Sequence, residues 1–203
     1  MFDSGSVKSA LEKIAAKMAE ERQHLVELDQ RNGDGDLGIS MADGYYAASN
    51  AVNASAEKDL GKLLLAASRA FNEAAPSSLG TITSMCMMGM ARVLKGHEEV
   101  DVQTLAEAFR AGIRNVMEKA GSKPGEKTIL DAVYPAAEAL YENAGKGEKE
   151  AFAAAAEAAA RRMGKSASRT EKSTAHMTRS VTDFFQPRRQ YRKTRRSMQK
   201  PSF

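Results

Sequence analysis

Leu28-Asp29-Gln30-Arg31-Asn32-Gly33-Asp34-Gly35-Asp36-Leu37-Gly38 is the stretch on which the reading of this chain turns. Three carboxylates, Asp29, Asp34 and Asp36, fall within eight residues, with glycines between and after them. Like charges this close repel one another. A folded chain holds them together most easily around a hard cation with oxygen ligands, Mg²⁺ or Ca²⁺. Gly33, Gly35 and Gly38 allow positive φ, so the backbone can turn sharply around an ion or a phosphate. Helical periodicity runs into the stretch through Leu25, Val26 and Leu28 and resumes at Met41 and Tyr45. The acids therefore join two helices.

Three readings compete for this junction. Asp and Gly are ordinary turn residues, so a solvated acidic turn is the simplest. A calcium loop of the EF-hand type counts Asn32, Asp34, Asp36 and, at the twelfth position, Asp43. That loop, however, needs glycine at its sixth position, where Leu37 stands, and a bidentate Glu at its twelfth. A Mg²⁺–nucleotide site is the third, because Mg²⁺ takes a few carboxylates and completes its octahedron with phosphate and water.

Outward from the junction, apolar residues repeat at helical spacing almost throughout. Ser6 is placed to cap a first helix with Val7, Leu11, Ile14, Ala15 and Met18 on its inner face. A second runs from about Gly38 to Ala54, and a third from Asp59 to Glu73 with Leu60, Leu63, Leu64 and Ala67 inward. Ser77-Ser78-Leu79-Gly80-Thr81 reads as a small polar loop opening into Ile82–Ala91, apolar nearly all round and expected to form a central buried helix. A fifth helix spans Asp101 to Ala120. The loop from Gly121 then leads through Pro124-Gly125-Glu126-Lys127 into Thr128-Ile129-Leu130-Asp131 and a helix to about Asn143, with Pro135 predicting a kink or a tight first turn. Residues 149–163 are Ala-rich and helical. No segment reads as a strand, so the fold class is all-α with seven helices.

The 203 residues suffice for one domain with a sizeable core. Abundant Ala, Leu, Met, Glu and Lys favour helix. The single Cys86 excludes a disulfide framework and points to a reducing compartment. No secretory pattern or membrane-length apolar run is present, and the chain reads as cytoplasmic. The formal net charge of +4 belongs to the C-terminus, where residues 186–203 hold seven basic residues and no acid. The body is mildly acidic. A DAK2-like domain over 1–178 and a basic tail over 179–203 are the expected units, the first on the resemblance that follows.

With these pieces placed, the chain resembles the ADP-binding L subunit of dihydroxyacetone kinase, the DAK2 or phosphatase-like nucleotide-binding family, over roughly residues 7–176. Three motifs in order carry the resemblance: the acid stretch, Ser77–Thr81 before the buried helix, and Gly121 with Pro124–Asp131. It implies an antiparallel up-and-down barrel of about seven to eight helices with the nucleotide held by loops at one end. It further implies Mg²⁺ on Asp29, Asp34 and Asp36, and ADP or ATP as the nucleotide. Phosphate contacts would come from Ser77, Ser78 and Thr81, a polar phosphate neighbour from Ser40, and nucleoside packing from Gly121 and Ile129. Each also has a plainer role: Ser77 and Ser78 as caps, Gly121 as a helix end, Ile129 as core.

The implied activity is phosphoryl transfer to a triose or related small sugar held by a separate K subunit, with ATP or a phosphotransferase-system protein as the donor. A homo- or hetero-oligomer is expected, and no membrane partner. The chain departs from the family at Leu37, where His or Thr is common, and at its C-terminal motif. There Lys172 aligns with an Arg expected to meet phosphate, and the Asp-Pro-Gly is missing. An alternative is therefore a non-catalytic, nucleotide-dependent regulator. The Arg/Lys tail with Tyr191 and Phe203 could contact nucleic acid, but a solvated tail is the simpler reading.

Overall fold

The computed structural model describes residues 1–31 and 33–166, with side chains up to Arg161. Lys172, the proposed boundary at 178 and the basic tail lie outside them. The described residues form seven α-helices: α1 (Ser4–Asp29), α2 (Leu37–Asn53), α3 (Leu60–Ala74), α4 (Ser78–Leu94), α5 (Val102–Ala120), α6 (Leu130–Asn143) and α7 (Glu148–Ser166). The all-α expectation holds, with one addition. Strands β1 (Phe2–Asp3) and β2 (Glu99–Val100) pair antiparallel, Phe2 opposite Val100. Two residues per strand are too few for alternation to be read in a sequence.

Each helix packs on the next in chain order, from α1 on α2 through α6 on α7. Short connections between packed neighbours make them antiparallel. The N-terminus returns to the far side of the bundle: Phe2 meets Phe152 of α7 edge-on, with ring centroids 5.9 Å apart. The main core lies among α1 to α5, around the fully buried Phe71, Leu63, Val52 and Ala67. Two smaller clusters join α5 to α6 and α7 and α4 to α6, and Phe109 packs against all three. On α7 the inward side chains are Ala151, Ala155, Ala156 and Ala159.

Helix ends refine several expectations. Asp3, not Ser6, caps α1: its carboxylate accepts the Ser6 N–H at 2.8 Å, and Ser6 returns a bond from its side chain as the third residue of a capping box. Helix α4 begins at Ser78, so most of the supposed Ser/Gly loop is its first turn. Nor is α4 buried all round. Gly80, Ser84, Met87, Ala91 and Leu94 are buried at three- to four-residue spacing, while Thr81 and Arg92 are exposed. Ser84 fastens α4 to α3, accepting the Ser68 hydroxyl at its carbonyl (2.9 Å) and donating its own to Asn72 (3.2 Å). Pro135 does lie inside α6, where it has no N–H to offer the Asp131 carbonyl.

Candidate metal centre at one end of the bundle

The alternation of direction puts three connections at the same end: 30–36 between α1 and α2, 75–77 between α3 and α4, and 121–129 between α5 and α6. The three sequence motifs, distant along the chain, therefore share one end of the molecule.

The acid stretch is less of a loop than expected. Asp29 is the last residue of α1 and Asp36 the N-cap of α2, leaving Asp34 alone in the turn proper. Asp29 Oδ2 accepts N–H bonds from Gly35 (2.9 Å) and Leu37 (3.4 Å), folding the turn back over the end of α1. Only Gly35 of the three glycines adopts positive φ, at 84°. Gly38 is required for space instead, while Gly33 is crowded chiefly by the movable Asp29 side chain. A Cβ on Gly33 would sit 2.5 Å from Asp29 Oδ1, and one on Gly38 2.1 Å from the Arg22 carbonyl oxygen of α1.

One carboxylate oxygen from each of Asp29, Asp34 and Asp36 lies within 4.8 Å of the others. None of the three is ion-paired with a described residue. The Asp36 carboxyl is raised above its ordinary pKa, first by desolvation and then by the negative charges of Asp34 and Asp29. Although Asp36 occupies the N-cap, its side chain makes no capping bond, so its oxygens remain available. An all-oxygen, doubly exposed cluster fits a hard cation with open coordination positions. Octahedral Mg²⁺ places neighbouring ligand oxygens about 3 Å apart, a modest contraction of what is seen. The EF-hand reading is excluded by geometry: α2 starts at Leu37, and Asp43 lies within it, 3.8 Å from Arg22.

The other expected site residues divide. Ser77 caps α4, accepting the Gly80 N–H at 3.1 Å, so its plainer role is real, and Ser78 and Thr81 are exposed in the first turn. Ser40 is buried, one turn into α2. Gly121 ends α5 in the left-handed region (φ 68°), and a Cβ there would meet nothing within 4 Å. Ile129, the half-buried N-cap of α6, is placed beside the core rather than in it.

Sequence reasoning assigned no role to Asp131. Its Oδ2 accepts the Lys127 N–H at 3.0 Å and its Oδ1 the Gly125 N–H. An acid in the first turn of a helix, just after a Pro-Gly turn, was the available signal.

A family model described as the DAK2 domain matches residues 31–183. The chain belongs to the DAK2 domain family. Within this DAK2 chain the match takes in Asp34, Asp36, the start of α4 and the 121–131 segment. The L-erythrulose 1-kinase of Mycolicibacterium smegmatis is 28% identical over 66% of the DAK2 chain and 24% of that kinase. The subunit of Listeria innocua named PEP-dependent dihydroxyacetone kinase 1, ADP-binding subunit DhaL, is 27% identical over 65% of the chain and 66% of the subunit. The dihydroxyacetone kinase from C. freundii, solved in complex with AMP-PNP and Mg²⁺, superimposes with a TM-score of 0.70 at 20% identity, covering 89% of this chain and 33% of that one. That last likeness is one of fold. The DAK2 chain thus spans a quarter to a third of the longer kinases and about two thirds of the separate subunit. The relatives named above are a kinase and a kinase subunit, and none of the described helices of this chain is long and apolar enough to cross a membrane.

Proposed function

We propose that this chain is the Mg²⁺–nucleotide-binding subunit of a dihydroxyacetone-type kinase, carrying ADP or ATP and acting with a K subunit that holds a triose or similar sugar. One observation carries the reading: Asp29, Asp34 and Asp36 converge within 4.8 Å without a cationic partner among the described residues. Unpaired like charges favour a divalent cation between them. Mg²⁺ held there would neutralise charge on a transferring phosphoryl group.

The remaining work falls to the chain itself. The exposed first turn of α4 offers backbone N–H groups and the Ser78 and Thr81 hydroxyls to phosphate. Gly121 leaves open space where a nucleoside could lie, and Ile129 offers an apolar edge. Ser40, by its burial, would act on phosphate only from behind the first turn of α2. A cytoplasmic setting is part of the proposal.

Calorimetric titration with Mg-ADP tests it. The wild type is expected to bind, and Asp34→Ala and Asp36→Ala to abolish binding. No heat with the wild type, or unchanged affinity in both variants, rejects the reading. Triose phosphorylation on adding a K subunit, with ATP or with a phosphotransferase-system phosphoprotein and bound ADP, identifies the donor. A second reading, a non-catalytic regulator, is favoured by Leu37, which packs against the main core and offers phosphate nothing. Phosphorylation in that reconstitution eliminates it.

A further inference from the structure

Lys127 is the sole non-glycine among the described residues with positive φ, at 60°. The left-handed region is unfavourable for a side chain such as lysine, because Cβ crowds the following carbonyl. Something must hold the residue there. The two oxygens of Asp131 do so, one accepting the Lys127 N–H at 3.0 Å and the other the N–H of Gly125, itself at φ 99°. Other bonds in the loop are short-range: Glu126 accepts the Lys123 N–H at 2.8 Å, and Thr128 the Leu130 N–H at 3.3 Å. Among the described residues, it is Asp131 that ties residues 125 and 127 to a helix, from the first turn of α6. Those residues immediately precede Ile129 and follow the open space over Gly121.

We propose that Asp131 is a positioning residue, a latch that keeps the 125–128 backbone in the left-handed shape on which the nucleoside side of the site depends. The proposal rests on the nucleotide-binding reading for its functional consequence, but the latch itself is a property of the loop. An amide at position 131 would turn one acceptor into a donor facing a backbone N–H. The loop would then relax toward ordinary negative φ at residue 127. Glycine at 127 removes the conformational penalty, whereas alanine removes the lysine side chain and keeps the penalty.

The experiment compares Mg-ADP affinity and the residue-127 backbone conformation, read from NMR chemical shifts and couplings. Asp131→Asn is expected to weaken Mg-ADP binding about tenfold and to move Lys127 out of the left-handed region. Lys127→Gly in the Asp131→Asn background should recover most of that loss, and Lys127→Ala should recover none. The same contrast in the wild-type background, glycine binding more tightly than alanine, avoids altering Asp131 should that variant fold poorly. Wild-type affinity with positive φ retained in Asp131→Asn, or equal effects of glycine and alanine, would overturn the latch. If the wild type binds no Mg-ADP, the nucleotide reading fails separately. The latch is then decided by the NMR observable alone: retention of positive φ in Asp131→Asn refutes it, and loss of positive φ supports it.

Discussion

The carboxylate of Asp29 accepts the N–H of Gly35 at 2.9 Å, so the last residue of α1 closes the turn that carries the other two acids. Asp29 therefore carries the turn back onto α1 through Gly35 and Leu37, whereas Asp34 accepts only the long bond from the nearby Asp36 N–H, at 3.4 Å. In the absence of metal, Asp29→Ala should lower the unfolding free energy by about 1–3 kcal/mol, the range for leaving such groups unpaired. Asp34→Ala should leave it unchanged or raise it slightly, because one repulsive charge is gone. Urea denaturation in a chelating buffer measures both.

Adding Mg²⁺ and nucleotide should lift the wild type above both variants. At about one hundred times the dissociation constant, a ligand that binds only the folded state stabilises it by about 2.7 kcal/mol. The wild type should gain that increment and lose it on chelation, while Asp34→Ala and Asp29→Ala gain none. Thermal melts with and without chelator provide the check.

Gly38 should not accept a methyl group. Alanine is the better helix former by about 1 kcal/mol, so on an open helix face Gly38→Ala would stabilise. Here the added Cβ would meet the Arg22 carbonyl oxygen at 2.1 Å, a backbone atom that cannot swing aside. Forcing α1 and α2 apart should destabilise by about 1–3 kcal/mol, as for other overpacked sites. A stability at or above wild type in urea denaturation contradicts the close helix approach.

Phe71 is fully buried, stands edge-on to Tyr45 at 4.9 Å, and fills the space left by Gly44, whose Cβ would come within 2.6 Å of the ring. Phe71→Ala should cost about 3–5 kcal/mol, a large part of the stability of an ordinary domain. Phe71→Leu should cost distinctly less. Denaturation midpoints of the two variants test the ranking.

Asp59 supplies an acid-sensitive contact. Its carboxylate caps α3 through the Lys62 N–H at 3.0 Å and also accepts the Gly96 N–H at 2.9 Å, binding the α3 start to the segment after α4. These bonds, that from Lys62 foremost, lower its pKa below the ordinary 3.8. A lowered folded-state pKa means stability present above 3.8 and lost as pH falls toward the folded value. The stability advantage of wild type over Asp59→Asn should shrink as pH drops from about 6 to about 3. An advantage that stays constant over that interval refutes the account.

Much of this architecture was legible because helices are written locally. The i, i+3, i+4 spacing of Leu60, Leu63, Leu64 and Ala67 marks an inward face, and all four side chains are buried in α3. Errors fell at the ends, where capping partners compete. Asp3 took the cap assigned to Ser6, and α4 extended backward to Ser78 because Ser77 could accept the Gly80 N–H. The β1–β2 pair was invisible, since its contacts join residues nearly one hundred positions apart.

For the candidate site, residue types were readable and arrangement was not. A trio of acids spaced among glycines is a property of eight consecutive residues, and its chemistry follows from charge and donor type alone. Whether Gly38 serves a turn or a helix contact depends on where α1 passes, and the role of Asp131 on how a loop folds back toward its own helix. The amino-acid order settled helices, charges and oxygen donors, because these arise from interactions over a few neighbours. Packing settled which connections share an end, which glycines need room and which carboxylates are engaged, because those are distances between atoms that the chain keeps apart until it folds.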